Sequence, residues 1–214
     1  MNKTMIMFSA LRAFRVIAVV SLVVGMLTVI FAVVAYVPAH PQFSILNTYL
    51  SDIGDTVGWP QIIFNNGTIL AAPLRVMVVV FLLLVLRGYD GRRPRFERAA
   101  LVLAVVSAFG TVCMTAVPYS TGPAVHKAGI GLYFIGAVFL QSVLGLKMLK
   151  IKELPHMLPV LSFFIVVCFV AFLFFYLMLQ SGGDVRALSV FWEWMCFFSS
   201  MLWLAGHLVF LKEE

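Results

Sequence analysis

Residues 157–179, MLPVLSFFIVVCFVAFLFFYLML, form a run without a single charged side chain. At about 1.5 Å per residue, a helix of this length crosses the roughly 30 Å of hydrocarbon in a bilayer. In lipid the backbone finds no water to bond, so a spanning segment must satisfy its own N–H and C=O groups as a helix. The run therefore predicts a transmembrane helix.

The composition extends this prediction to the whole chain, because 63% of the 214 residues are hydrophobic and only 11% are charged. Apolar periodicity predicts six spans, over residues 16–37, 62–86, 99–117, 125–149, 157–179 and 187–211. Their connectors are too short for a soluble domain. We expect residues 1–214 to form a single all-α integral membrane domain, a bundle of six transmembrane helices.

The basic side chains predict the orientation of this bundle. Most of the 15 Lys and Arg residues fall in the N-terminal leader, in residues 87–98, in residues 147–152 and at Lys212. Short cytoplasmic loops carry such an excess, so we predict that both termini are cytoplasmic. The net charge of +6 is then a consequence of topology, and no nucleic-acid partner is expected.

The cysteines offer no sign of a disulfide framework or of a metal site. Cys113, Cys168 and Cys196 all lie inside apolar runs, where a small polarizable side chain usually packs. The sequence holds no CxxC pair and no HExxH motif. We therefore predict no metal and no cofactor.

The longest connector, residues 38–60, begins the most polar part of the chain, residues 49–66, YLSDIGDTVGWPQIIFNN. We expect a short helical or re-entrant cap over the non-cytoplasmic mouth of the bundle. Ser51 and Asp52 suit the capping of a helix N-terminus. A second carboxylate and the pair Asn65 and Asn66 crowd the same side, so a binding role is open beside the capping role.

Within the second span, Asn65, Thr68, Ala72 and Arg75 are spaced three or four residues apart and share one helix face. Arg75 is placed near the bilayer midplane, where an unpaired guanidinium is costly and is normally paired or hydrated. We interpret this face as part of a polar core. The alternative is that the side chain extends along its helix toward the interface.

The fourth span begins with His126 and Lys127, after a turn that contains Tyr119. These side chains face the same compartment as Asp52. A histidine near a membrane boundary is often only an interfacial residue, yet its closeness to carboxylates makes it a candidate base.

The last span carries Glu193, Cys196, Ser200, Trp203 and His207, separated alternately by three and four residues. Such spacing predicts one stripe that faces the bundle interior. An ionisable residue inside a span is a functional hypothesis by default, so Glu193 is a candidate site residue. His126, Lys127 and Arg75 are its candidate cationic partners.

These observations predict an outer polar pocket. Its ligand-binding residues are predicted to be Ser51, Asp52, Asn65, Asn66, Arg75, Tyr119, His126, Lys127 and Glu193. Asp52, His126 and Glu193 are the candidates for catalysis, if any reaction occurs there.

Three motifs in this order resemble the Frag/DRAM/Sfk membrane family: the run 49–54, YLSDIG; His126 followed by small residues; and Glu193 before Trp194. That family includes damage-regulated autophagy modulators, a Golgi protein that remodels GPI-anchor lipids, and the N-terminal region of Cwh-type GPI remodelases. A prokaryotic family of unknown function with an S-[DE]-x-G motif after the first helix is similar as well. The resemblance implies six helices and lipid-related work at the non-cytoplasmic leaflet.

Three functional classes follow. The first is a membrane protein that binds or organises lipid, with membrane lipids as its partners and a protein partner left open. The second is a lipid-remodelling enzyme that cleaves an ester. Its carboxylates and His126 would act as acid and base, or would hold a metal that activates water. The third is a small transporter with Arg75, Glu193 and His207 as a relay, although no internal repeat is visible.

Overall fold

The structure, a computed structural model, describes residues 3–211, with side chains from Met7 onward. Its helices are α1 (Lys3–Tyr36), α2 (Leu50–Asp55), α3 (Trp59–Asp90), α4 (Pro94–Ala116), α5 (Pro123–Met148), α6 (Met157–Gln180) and α7 (Arg186–Phe210). All of them except the short α2 are long and apolar enough to cross a membrane. The predicted six-helix membrane bundle is therefore confirmed. Its orientation stays a prediction, and Lys212 lies outside the described residues.

Prolines set the start of three of the helices. Pro60, Pro94 and Pro123 each occupy the first turn of their helix, where the missing N–H would have no intrahelical partner. The spans are longer than predicted because polar residues at their ends, such as Arg87 and Asp90, continue the helix beyond the apolar run. The predicted short helical cap is present as α2.

The six spans form a ring, in which each contacts the next in the chain and α7 returns to α1. Glycines allow the closest crossing, between α4 and α5. A Cβ added at Gly129 would lie 2.5 Å from the backbone nitrogen of Met114 and 2.8 Å from the carbonyl oxygen of Gly110. Neither backbone atom can rotate away, so this crossing requires a residue without a side chain.

The two ends of the ring differ, and we name them for what they carry. The lid end bears α2 and the first turn of α7. The basic end bears the loops 91–93 and 149–156, where Arg87 bonds Glu97 at 2.7 Å and Lys147 pairs with Asp90. Near the basic end the ring is filled by fully buried apolar side chains, namely Phe14, Leu82, Leu86, Leu144, Met148 and Leu158.

Candidate functional site

A cavity of about 220 Å³ lies inside the ring, and every helix contributes to its wall. Polar groups line it beneath α2, among them Ser51, Asn65, His126 and Glu193. Apolar side chains line the deeper part, namely Val79, Phe134, Leu140, Ile165, Phe169 and Leu204. The cavity wall is thus mostly apolar, with a group of polar side chains next to α2 and a few, such as Gln141, farther from it.

Helix α2 closes the polar end of this cavity by docking its N-terminus on Glu193. The Oε2 atom of Glu193 accepts a hydrogen bond of 2.6 Å from the backbone N–H of Leu50. The N–H and the hydroxyl of Ser51 bond the same carboxylate. Because the first N–H groups of a helix have no intrahelical acceptor, a carboxyl oxygen placed there satisfies them and holds the helix.

Two further contacts fix the lid to the ring. The indole Nε1 of Trp194 donates to the carbonyl of Thr48 at 2.9 Å, and the Asn65 amide donates to the carbonyl of Gly54 at 3.0 Å. Gly54 has to be small, since a Cβ there would come within 2.7 Å of Asn65 Oδ1 and of the Phe64 ring. The lid is therefore bonded to α3 and α7 together.

The carboxylate of Asp52 is used in the lid itself and lies outside the cavity lining. It accepts the backbone N–H of Tyr49 at 3.0 Å and pairs with Arg186 at 3.0 Å. The Arg186 guanidinium also stacks over the Tyr49 ring at 4.8 Å. Burial raises the pKa of the Tyr49 hydroxyl above its ordinary value, so that hydroxyl stays neutral.

Arg75 reaches the cavity from α3. Its Nη2 atom donates to Thr111 Oγ1 at 2.7 Å, and its guanidinium carbon lies 5.3 Å from the centre of the Tyr133 ring. Side chains tilt toward the N-terminus of their helix, which for α3 is the lid end. The guanidinium therefore lies closer to the lid than its own backbone does. Among residues 7–211, no carboxylate forms an ion pair with it.

His126 lies in the cavity wall at the start of α5. Its Nδ1 atom is 3.2 Å from the carbonyl oxygen of Val117, and a carbonyl can only accept, so Nδ1 carries the proton. In the neutral imidazole, the Nε2 atom then keeps its lone pair. Tyr119 packs edge-on against this ring at 5.8 Å but is not part of the cavity lining.

The structure brings some of the predicted site residues together and separates others. Those that line the cavity are Ser51, Asn65, Arg75, His126 and Glu193, while Asp52, Asn66, Tyr119 and Lys127 do not. Asn66 is turned outward and bonds the carbonyl of Ile62, because neighbouring residues on a helix point in different directions. Lys127 bonds Gln180 on the outer surface. Whether these residues bind a ligand stays a prediction.

None of the three residues predicted as a cationic partner of Glu193 forms an ion pair with it in the described part of the chain. Lys127 bonds Gln180, Arg75 bonds Thr111, and His126 bonds a backbone carbonyl. The backbone of α2 holds Glu193 in their place, and such a partner cannot be read from side-chain types.

The inward stripe of α7 is confirmed, since Cys196, Ser200 and Trp203 line the cavity. Its last member, His207, is fully buried beyond the lining, against Phe14 and Trp203. Of the three relay residues, Arg75 and Glu193 therefore line the cavity and His207 does not, and the relay stays a prediction.

Sequence reasoning did not identify Tyr133, Thr111 or Gln141 as site residues. Tyr133 and Gln141 line the cavity, and Thr111 holds the Arg75 guanidinium. A usable signal was the spacing of Ser107, Thr111 and Thr115, which places three hydroxyls on one face. In the described part of the chain, no three His, Cys, Asp or Glu side chains group as a metal site requires.

Comparison with known protein families matches residues 13–207 to the Frag1/DRAM/Sfk1/Cwh43P N-terminal domain. This range includes all of the cavity lining described above. Comparisons with curated proteins and with solved structures found no significant match.

Proposed function

The chain belongs to the Frag1/DRAM/Sfk1/Cwh43P N-terminal domain family, and we propose that it binds a membrane lipid in the cavity of its helix ring. The polar part of the lipid lies beneath α2, and an acyl chain leaves between helices toward the bilayer. One observation carries this proposal: the cavity combines a mostly apolar wall with a group of polar side chains next to the lid.

The polar lining supports this proposal because polar groups inside a membrane protein are costly unless they find partners. Ser51, Asn65, His126 and Glu193 gather at one level beneath the lid. They supply donors and acceptors that suit the phosphate, hydroxyl or ester groups of a lipid headgroup. A site for a purely apolar molecule needs none of them.

The size of the cavity limits what enters. Sites that enclose a whole drug-sized molecule measure roughly 300–1,000 Å³. A cavity of about 220 Å³ is smaller and accommodates a headgroup or part of one chain. The rest of a bound lipid must therefore remain in contact with the bilayer.

Filling the cavity tests the proposal. Ala71 lines the cavity on α3, whereas Ala128 is exposed on α5, so Ala71→Phe and Ala128→Phe make the same change inside and outside. We expect Ala71→Phe to retain about tenfold less lipid per protein after purification in detergent, which corresponds to roughly 1.4 kcal/mol of binding. Mass spectrometry of the extracted lipids measures this.

Ala128→Phe should retain the lipid of the unchanged protein. The proposal fails if Ala71→Phe carries the same amount of lipid as Ala128→Phe while both melt at the temperature of the unchanged protein. It also fails if the unchanged protein retains no lipid.

A second candidate is a lipid-remodelling enzyme on the same cavity. The favouring observation is His126, whose Nδ1 is held by the Val117 carbonyl while Nε2 keeps its lone pair, the state that a general base needs. Turnover of labelled phospholipids by the purified protein, lost in His126→Gln, is the expected result for an enzyme. Equal product with both proteins, or none with either, counts against it.

A further inference from the structure

We infer that the polar part of the bound molecule is an anion, a phosphate or a carboxylate group, which binds the guanidinium of Arg75 beneath the lid. This inference rests on the proposed function and gives the chemical class of its ligand. It follows from the charge left in the cavity, the geometry of Arg75 and the level at which its guanidinium lies.

The cavity holds one cation, Arg75, that has no ion-pair partner among the described residues. Its charged lining consists of Arg75 and Glu193, apart from the imidazole of His126. The Glu193 carboxylate is already bonded by the N-terminus of α2, at 2.6 Å from the N–H of Leu50. Arg75 has only neutral partners, the Thr111 hydroxyl and the Tyr133 side chain.

Among residues 7–211, no carboxylate forms an ion pair with Arg75, and four carboxylates are bound elsewhere. Asp52 pairs with Arg186, Asp55 accepts from Ser120, Asp90 pairs with Lys147, and Glu97 pairs with Arg87. A guanidinium in a membrane interior normally has an anionic partner or lines a hydrated space. An anion that neutralises Arg75 would therefore come from outside the described residues.

The contacts of Arg75 hold it ready for such a partner. A guanidinium carries five N–H donors in a rigid fork that matches phosphate and carboxylate oxygens. The 2.7 Å bond to Thr111 takes one of these donors, and Tyr133 packs under the plane at 5.3 Å. Thr111 is itself fixed, because its hydroxyl also lies 3.1 Å from the Ser107 carbonyl. Arg75 lines the cavity, and none of its N–H groups is bonded to a carboxylate of the described residues.

The level of the guanidinium suits a headgroup. Thr111 stands about 7.5 Å from the lid end of α4, at 1.5 Å per residue, and Glu193 stands about 10.5 Å from the start of α7. The guanidinium contacts Thr111 and also Tyr133, which stands about 15 Å from the start of α5, so it lies between the lid and the apolar part of the cavity. An anion at this level leaves the apolar part of the cavity to a chain.

Matched probe pairs test the charge of the ligand. Oleate and oleyl alcohol differ in a carboxylate, and dioleoyl phosphatidate and dioleoylglycerol differ in a phosphate. We expect the purified full chain to bind the anionic member of at least one pair about tenfold more tightly, as charge-assisted hydrogen bonds to one anion provide. The pair that shows the preference distinguishes a carboxylate from a phosphate ligand.

Arg75→Gln should weaken only the anionic probe and remove the preference. Lys127→Gln is the matched control, since Lys127 is a cation at the same end that lies outside the cavity and bonds Gln180. It should keep the preference. Arg75→Lys, which retains the charge but loses the fork, should keep part of it and serves if Arg75→Gln does not fold.

The outcomes separate this inference from the proposed function. Equal binding of both members of each pair, blocked by Ala71→Phe, overturns the anion and leaves lipid binding standing. A preference that survives in Arg75→Gln also overturns the anion at Arg75. If no probe binds the unchanged protein, both proposals fall.

Discussion

The two ends of the helix ring treat their charged side chains in opposite ways. At the basic end, cations meet carboxylates, as Lys147 meets Asp90 and Arg87 meets Glu97. In the interior of the lid end, Arg75 and Glu193 are held instead by neutral groups, a hydroxyl and backbone N–H groups. An ion pair neutralises itself, whereas a charge held by neutral groups keeps its field. We therefore expect a charged ligand to bind at the lid end.

The two ends also differ in how tightly their side chains pack. Near the basic end, Leu82, Leu86, Leu144 and Met148 are almost completely buried and fill the ring. Toward the lid end the ring opens into the cavity. We infer that the basic half holds the helices together while the lid half keeps space for a ligand. Keeping that space requires rigid walls, which the first prediction tests.

Gly129→Ala should cause the largest loss of stability, about 3 kcal/mol, because overpacking typically costs about 1–3 kcal/mol and backbone atoms that cannot rotate away place this change at the upper end. The added Cβ would lie 2.5 Å from the backbone nitrogen of Met114, so α4 and α5 must separate. Gly131→Ala, on the same helix, meets no atom within 4 Å and should leave stability unchanged or slightly raised. Thermal melting of the two variants in one detergent measures the difference. Equal melting temperatures would show that the lid half does not depend on this crossing.

Glu193→Ala tests whether the hydrogen bond from the backbone of α2 to Glu193 holds the lid in place. It leaves the N–H of Leu50 without its 2.6 Å partner, and a hydrogen bond to a charged group contributes about 1.5–3 kcal/mol. We expect hydrogen exchange at the amides of Leu50 and Ser51 to rise about tenfold or more. Glu193→Gln keeps an acceptor oxygen and should show a smaller rise.

Asp184→Ala is the control for this experiment, since it removes an exposed carboxylate at the same end that makes no hydrogen bond to α2. Its exchange should match that of the unchanged protein. If Glu193→Ala exchanges no faster than Asp184→Ala, then Trp194 and Asn65 hold the lid without the carboxylate.

The sequence was sufficient for the fold and for part of the site. Apolar length predicts each of the six spans, and the spacing of polar residues predicts the inward faces of α3 and α7, because helix geometry relates spacing to direction. Arg75, Asn65 and Glu193 reach the cavity for this reason. These inferences need only one helix at a time.

The predicted site residues that do not line the cavity are positioned by contacts between helices. Lys127 and Tyr119 stand beside His126 in sequence or space, yet only His126 faces the cavity. Asp52 is one residue from Ser51 but turns to Arg186, which lies far along the chain. The docking of α2 on Glu193 uses backbone groups, and no residue type reveals them. Helix period alone cannot supply such long-range pairings.

The smallest loss of stability is expected from removing the exposed ion pairs. One such pair lies at each end, so the two ends can be compared directly. Asp52 and Arg186 pair at 3.0 Å at the lid end, and Asp90 and Arg93 pair at 3.3 Å at the basic end, with more than half of each arginine side chain exposed. Pairs of this kind contribute about 0.2–1 kcal/mol each, so Arg186→Gln and Arg93→Gln should lower stability by similar small amounts. The two variants should differ in their effect on hydrogen exchange in the lid. Arg186 also stacks over Tyr49, the residue before α2, so only its loss should speed hydrogen exchange in the lid.

High salt should reproduce the Arg186→Gln effect in the unchanged protein, because exposed ion pairs are screened, while leaving the bond of Leu50 to the buried Glu193 in place. The exchange of residues 50–55 at low and high salt measures this. Equal loosening of the lid by Arg93→Gln would mean that the two ends are coupled through the helices. The division of the ring into a holding half and a binding half would then be wrong.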